Sequence, residues 1–227
     1  SMGILLSYPG LAITPESRTV GLKSSLGDSQ SAKSGEASVS FIGAGNYATG
    51  VLIPAFKDAG ARLVNIASNA GVTGQFAGSK YGFDKTTTDT ESVFEDGDTN
   101  AVVITTRHNS HAELVMQGLL SGKHVFVEKP LCLRLSELNE IEGKLSALAE
   151  SNAELPQLTV GFNRRFSPHI QKIKSLVSGS NDPMALVMTV NAGHIAPDHW
   201  TLDPDIGGGR IIGEACHYLD LMVYISG

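Results

Sequence analysis

Cysteine is scarce. The 227 residues hold two, Cys132 and Cys216, far apart in the chain. Two distant thiols cannot form the dense disulfide framework that holds small secreted domains together, so they read as buried thiols in a reducing compartment. No Cys/His spacing of the zinc type occurs, and no metal site is expected. Positive charge is also short: 17 Lys and Arg stand against 23 Asp and Glu, for a formal net charge of −6. A mildly acidic chain without a basic cluster is a poor partner for nucleic acid or an anionic membrane surface. No apolar run approaches the roughly 20 residues that a membrane helix needs. No charged-then-apolar leader opens the chain, and a cytoplasmic location follows by default.

What is present suits an α/β protein. Hydrophobic residues make up 41% of the chain, enough for a sizeable core, and 25 glycines supply tight strand–helix turns. Residues 4–10 (ILLSYPG) read as a short strand. Residues 11–36 lack periodicity and read as a linker, with a pairing arm as the alternative. Residues 1–36 are thus expected to be the tail of a preceding domain plus a linker. Regular structure begins at Ser38. Strands are predicted at 38–42, 62–67, 101–105, 124–128 and 158–162. Helices are predicted around 51–60, 74–81, 110–120 and 135–151, with a turn at 91–94. This alternation implies βαβ crossovers and a parallel sheet with helices on both faces, a Rossmann-type domain over 37–165. Beyond it, a helix at 167–177, a strand at 184–191, a polar loop at 194–209 and a helix at 209–225 read as an incomplete α/β substrate or oligomerisation domain over 166–227.

The central motif is Gly43-Ala44-Gly45-Asn46-Tyr47-Ala48, a G-x-G-x-x-A between the first strand and its helix. Gly43 permits the tight turn, Gly45 lets backbone N–H groups approach a pyrophosphate, and Ala48 allows close packing of helix on strand. Asn46 and Tyr47 open the helix whose N-terminal dipole favours the phosphates. NAD or NADP is the expected cofactor. The second strand ends in Ile66-Ala67-Ser68-Asn69, without the carboxylate that binds the ribose hydroxyls of NAD. Ser68 can hydrogen-bond either cofactor, and the choice stays open. Thr105 and Thr106 follow a buried strand at its C-terminal end, where open α/β sheets bind ligands. Asn109 and His111 lie just beyond, His111 also being readable as a helix-cap residue.

Glu128-Lys129-Pro130 follows another buried strand. Downstream come Gly161-Phe162-Asn163-Arg164-Arg165-Phe166 and Gly207-Gly208-Gly209, then His217-x-x-Asp220. In this order the motifs resemble the Gfo/Idh/MocA oxidoreductase family, which includes glucose–fructose oxidoreductase and inositol dehydrogenase. The resemblance implies hydride transfer between nicotinamide and a hydroxyl-bearing carbon of a sugar, polyol or sugar nucleotide. It implies that Lys129 holds the reacting hydroxyl, that His217 is the acid/base, that a cis Pro130 aims Lys129, and that Glu128 joins the cofactor-facing set. Asn163, Arg164 and Arg165 are candidates for substrate binding, with an interdomain salt bridge as the alternative for the arginines. His199, beside Trp200, suits a sugar.

There are two departures from the family. Where it commonly has Asp four residues before the histidine, this chain has Gly213, with Glu214 offset by roughly 100° on a helix. The second domain is also short, and a homo-oligomer is expected of the full-length protein. The opening segment resembles the junction in bacterial fusions of a zinc-type alcohol dehydrogenase to such a module. Two rival functions stand beside the dehydrogenase: a regulatory module that binds dinucleotide without turnover, and a redox-neutral NAD-dependent glycosidase or lyase.

Overall fold

A computed structural model describes residues 18–22, 37–151, 155–179 and 183–227. Seven strands form one mixed sheet: β1 (Thr19–Gly21), β2 (Ser38–Ile42), β3 (Arg62–Ala67), β4 (Lys85–Thr87), β5 (Ala101–Ile104), β6 (His124–Val127) and β7 (Leu158–Val160). Their order is β1-β4-β3-β2-β5-β6-β7. Strands β2 to β7 pair in parallel, so each must be reached by a crossover. The crossovers carry α1 (Ile53–Asp58), α2 (Gly71–Tyr81), α3 (Glu91–Glu95), α4 (His111–Leu120) and α5 (Leu135–Glu150). Strand order reverses between β2 and β5, and the C-terminal ends of these two strands frame the crevice where ligands bind such sheets.

The uninterrupted apolar strands are explained by two cores. Val102 and Ile104 join Val115, Leu119 and Ile141 on one face of the sheet. Val103, between them, joins Phe41, Ile53, Ile66 and Phe83 on the other. Successive side chains of a strand point to opposite faces, so β5, covered on both sides, is apolar at every position.

Two expectations change here. Part of the segment read as a linker is β1, antiparallel to β4 in the register Thr19↔Thr87, which is the pairing-arm alternative. The strand expected at 4–10 lies outside the described residues. Residues 184–191 form no strand; they run largely exposed, Val187 at 93%, and no strand among the described residues pairs with them.

Beyond β7 a 3₁₀ turn (Asn163–Phe166) leads to α6 (Pro168–Val177), whose start is set by Ser167 as N-cap and Pro168 in the first turn. The chain then crosses the C-terminal edge of the sheet and ends in α7 (Cys216–Ser226), entered through a π-helical turn at Ile211–Ala215. Gln171 Nε2 donates to Tyr224 Oη at 3.0 Å, and Lys174 Nζ to the Ile225 carbonyl at 3.3 Å, joining α6 to α7.

Candidate functional site

The turn after β2 is shaped by a missing side chain. Gly43 has φ +108°, and a Cβ there would lie 2.7 Å from Thr105 Oγ1 and 2.8 Å from the Thr105 carbonyl carbon. Only glycine fits. Thr105 Oγ1 lies 3.0 Å from the Gly43 carbonyl and 3.2 Å from that of Ile42, so this hydroxyl ties the end of β5 to the turn. Gly45 is the opposite case: a Cβ there would meet nothing within 4 Å. The space over its backbone is open, and Asn46 and Tyr47 beside it are exposed. This open backbone corner fits a dinucleotide's pyrophosphate. Ser68 Oγ pairs with Thr73 Oγ1 at 2.9 Å, and Ser110 Oγ donates to Thr106 Oγ1 at 2.7 Å. Asn109 is exposed, its backbone N–H bonded to the Ile206 carbonyl at 3.1 Å.

The end of β6 presents two charged residues to two different places. Glu128 faces the corner: it lies near enough to Tyr47 for its charge to help raise the phenol's pKa, after burial. Glu128 Oε1 is buried without a hydrogen-bond partner among the described residues, and burial pushes this carboxyl up to about 7 against the pull of Lys129. Asn163 Nδ2 donates to Tyr47 Oη at 2.6 Å and closes that side of the corner. Lys129 instead reaches the π-helical turn, where Nζ donates to the Gly213 carbonyl at 2.7 Å. The Lys129–Pro130 peptide is cis. The Pro130 carbonyl receives His111 Nδ1–H at 2.7 Å, while His111 Nε2 lies 3.2 Å from the Thr106 carbonyl. His111 is fully buried, so its ring braces the Lys129–Pro130 segment from below.

Lys129 lines a cavity of about 510 Å³ together with His108, Trp200, Arg210, Gly213 and Glu214. His199 is at its rim, its Nδ1 2.8 Å from Thr201 Oγ1. Glu214 accepts from Arg210 Nε at 2.9 Å, and Arg210 also donates to the Gly193 carbonyl at 2.7 Å. Arg210 thereby holds the residues before Trp200 over the cavity. His217 does not line this cavity. Its ring packs edge-on to Phe162 at 6.1 Å and its Nδ1 is buried without a partner among the described residues. Burial, then the charges of Lys129 and Arg164, push His217 down to about 4. Arg164 stacks on the Tyr218 ring at 4.8 Å. Arg165 is bound to Asp220 through both carboxylate oxygens, with Nε to Oδ2 at 2.7 Å. The salt-bridge alternative therefore describes Arg165, which pins the 3₁₀ turn after β7 to α7.

Sequence reasoning missed His108 and Arg210. His108 carried a usable signal, since it sits four residues past β5 at the ligand-binding edge of the sheet. Arg210 carried one too: it stands four residues before Glu214 on the helix expected at 209–225, the spacing of a helical ion pair. Among the described residues no group of three or more His, Cys, Asp or Glu could hold a metal. No helix among them is long and apolar enough to cross a membrane.

Residues 37–155 match the Gfo/Idh/MocA family, described as "Oxidoreductase family, NAD-binding Rossmann fold". Myo-inositol 2-dehydrogenase of Thermotoga maritima is 31% identical over 149 residues, covering 65% of this chain and 42% of that protein. Oxidoreductase P35 of Formosa agariphila is 31% identical over 197 residues, covering 82% of this chain and 59% of that one. The crystal structure of an oxidoreductase domain protein from Kribbella flavida matches with a TM-score of 0.71 at 26% identity, over 85% of this chain and 53% of that one. The chain spans about half the length of the curated relatives it matches. On the match over residues 37–155, with the glycine turn and strand order that accompany it, this chain belongs to the Gfo/Idh/MocA oxidoreductase family and contains its NAD-binding Rossmann domain.

Proposed function

We propose that the protein is an NAD(P)-dependent dehydrogenase acting on a hydroxyl-bearing carbon of a sugar, polyol or sugar nucleotide. The observation that carries this reading is the split between two consecutive residues: Glu128 at the glycine-turn corner and Lys129 in the adjoining cavity. A dinucleotide in the corner and a small polar molecule in the cavity would meet beside Lys129. The relatives include a myo-inositol 2-dehydrogenase, a 1,5-anhydro-D-fructose reductase and a levoglucosan dehydrogenase.

This reading assigns the following roles. Gly43 shapes the turn. The backbone at Gly45, Asn46 and Tyr47 holds the pyrophosphate. Thr105, Thr106 and Glu128 face the nicotinamide ribose, and Ser68 the adenosine ribose. Nicotinamide, when bound, supplies the hydride acceptor. Lys129 orients the reacting hydroxyl through its ammonium donors. His217 is the second proton-handling group, close enough to Lys129 to feel its charge. Asn163 and Arg164 approach the substrate from β7, and His199 and Glu214 from the cavity rim. His111 and Arg165 position these elements rather than touching a ligand. A regulatory module that binds dinucleotide without turnover is the second reading, favoured by the place of His217 off the cavity. Residues 37–165 are the Rossmann domain and 166–227 part of a substrate domain that also supports oligomers. Apart from β1, which joins this module's own sheet, the first 36 residues are read as the tail and linker of a zinc-type alcohol dehydrogenase fused ahead of it.

The test is reduced-nicotinamide absorbance with NAD and NADP over a panel of polyols and sugar nucleotides, in the wild type and Lys129→Ala. Lys129→Ala is expected to leave cofactor affinity intact and to cut turnover by about 10²–10⁴, the usual share of a positioned proton-handling group. Undiminished turnover removes Lys129 from the mechanism. Tight dinucleotide binding with no absorbance change on any substrate selects the regulatory reading.

A further inference from the structure

His108 belongs to no motif, yet it is the best-oriented acceptor in the cavity. It lies in the 3₁₀ turn His108–Ser110 that joins β5 to α4, and it is 8% exposed. Its Nδ1 is 2.8 Å from the Gly207 carbonyl. A carbonyl oxygen only accepts, so Nδ1 carries the hydrogen of this contact. Burial, with His111 and Lys129 nearby, depresses the ring's pKa to about 4, so the imidazole is neutral at pH 7. In a neutral ring with hydrogen on Nδ1, Nε2 is a lone-pair acceptor. Nε2 has no hydrogen-bond partner among the described residues and is not sealed from solvent.

The surroundings hold that acceptor in place. The Trp200 ring packs edge-on to His108 at 4.9 Å, and His111 lies behind at 5.6 Å. A Cβ on Gly213 would come within 3.2 Å of His108 Cε1, so the ring occupies the space at the helical position four residues before His217. The same glycine's carbonyl holds Lys129 Nζ. One wall of the cavity therefore presents the Lys129 ammonium, with two donors left beyond its bond to Gly213, and a fixed single acceptor, His108 Nε2. Each substrate hydroxyl can both donate and accept, and this pair serves both needs on adjacent hydroxyls.

We propose that His108 is a substrate-binding residue whose Nε2 accepts a hydrogen bond from a hydroxyl of the sugar or polyol, next to the hydroxyl held by Lys129. This deepens the dehydrogenase reading and rests on its polyhydroxylated substrate. Isosteric variants separate this role from a structural one. Asn reproduces the Nδ1–H donor to Gly207 and deletes the Nε2 acceptor, whereas Gln places an acceptor near Nε2 and gives up the Gly207 contact.

The experiment measures binding of myo-inositol, glucose and levoglucosan to the NADH-loaded protein by calorimetry. The ¹⁵N resonance of His108 Nε2 is followed in the wild type. Loss of one buried hydrogen bond corresponds to about tenfold in affinity. His108→Asn is expected to weaken the tightest of the three ligands by about that factor and to leave NADH affinity within about twofold. His108→Gln is expected to keep most of the sugar affinity at a lower melting temperature. In the wild type, ligand should move the Nε2 resonance in the direction of hydrogen-bond acceptance. Unchanged sugar affinity in His108→Asn, or an unmoved Nε2 resonance at saturation, overturns the assignment and leaves the dehydrogenase reading standing. Failure of the wild type to bind any of the three overturns the assignment of a sugar or polyol hydroxyl to His108, and the dehydrogenase reading then stands or falls on the absorbance panel.

Discussion

The glycine-turn corner and the Lys129 cavity lie side by side at the same edge of the sheet, but different forces shape them. The corner is backbone: the Gly43 N–H donates to the Ala67 carbonyl at 2.9 Å, and missing Cβ atoms at Gly43 and Gly45 set its shape. The cavity is side chain on distant backbone: His108 reaches Gly207 across 99 residues, and Lys129 reaches Gly213 across 84. A corner built by strand order is rigid and indifferent to most substitutions. A cavity built by single long-range hydrogen bonds depends on each of them. Cofactor binding is accordingly expected to be robust, and substrate binding to be sensitive to residues outside the sheet.

The substitution with the largest expected effect sharpens that contrast from the corner side. Gly45→Val adds a side chain where nothing lies within 4 Å, so the fold should be spared. The same side chain would occupy the space over the backbone donors. Overfilling plus lost phosphate hydrogen bonds amount to about 3 kcal/mol or more, about 100-fold in affinity. A fluorescence titration with NADH should show that loss at an unchanged melting temperature. Retained affinity would mean that the corner is not the pyrophosphate site. Equal losses of stability and affinity would mean that its openness is not what matters.

The same division explains what could be read in the chain. Val102, Val103 and Ile104 announce a strand buried on both faces, and the Gly43–Ala48 spacing announces the turn, because both signals are local. Strand β4 (Lys85–Thr87) has three residues and no apolar alternation, so it carries no local signal. Residues 184–191 are rich enough in Val and Met to read as a strand, yet pairing requires a partner that no local pattern supplies. The cavity was legible only through the family resemblance, which led to Lys129. Glu214, beside the missing Asp, lines the cavity paired with Arg210 one helical turn earlier. Arg165 looked like an anion reader, and its anion is Asp220 of the same chain.

That last pair gives a smaller effect, on the cavity side. Asp220 is 6% exposed and holds Arg165 through two oxygens, so Asp220→Asn leaves a shorter-reaching neutral contact and a guanidinium that water can partly reach. The expected cost is about 1.5–3 kcal/mol, the range for hydrogen bonds to a charged group. For a chain of this size it lowers the melting temperature by roughly 3–10 °C. NADH affinity should change far less than stability, because α7 reaches the corner only indirectly, through the turn that carries Asn163. A parallel loss of NADH affinity would show that the two regions are mechanically coupled and would break the contrast.

The smallest effect is a pH dependence in which the two regions oppose each other. His108 and His217 belong to the cavity side, and their folded pKa values near 4 lie below the ordinary 6.5. Between those limits the unfolded chain binds more protons at these sites, so stability rises with pH and the gain is complete above about 6.5. Glu128 belongs to the corner, and its folded value of about 7 lies above the ordinary 4.5. Here the folded chain binds more protons, so the contribution is fully present below about 4.5 and is lost as pH climbs through 7. From about pH 4.5 to 6.5 two histidines act against one carboxyl, and the melting temperature should rise before levelling near neutrality. Glu128→Gln should remove the opposing contribution and steepen the rise. His108→Asn should flatten it, since one of the two histidines no longer titrates. A melting profile that Glu128→Gln leaves unchanged would show that this carboxyl is solvated in the folded protein, and the corner would lose the buried, unpaired oxygen that marks it as a place for a ligand.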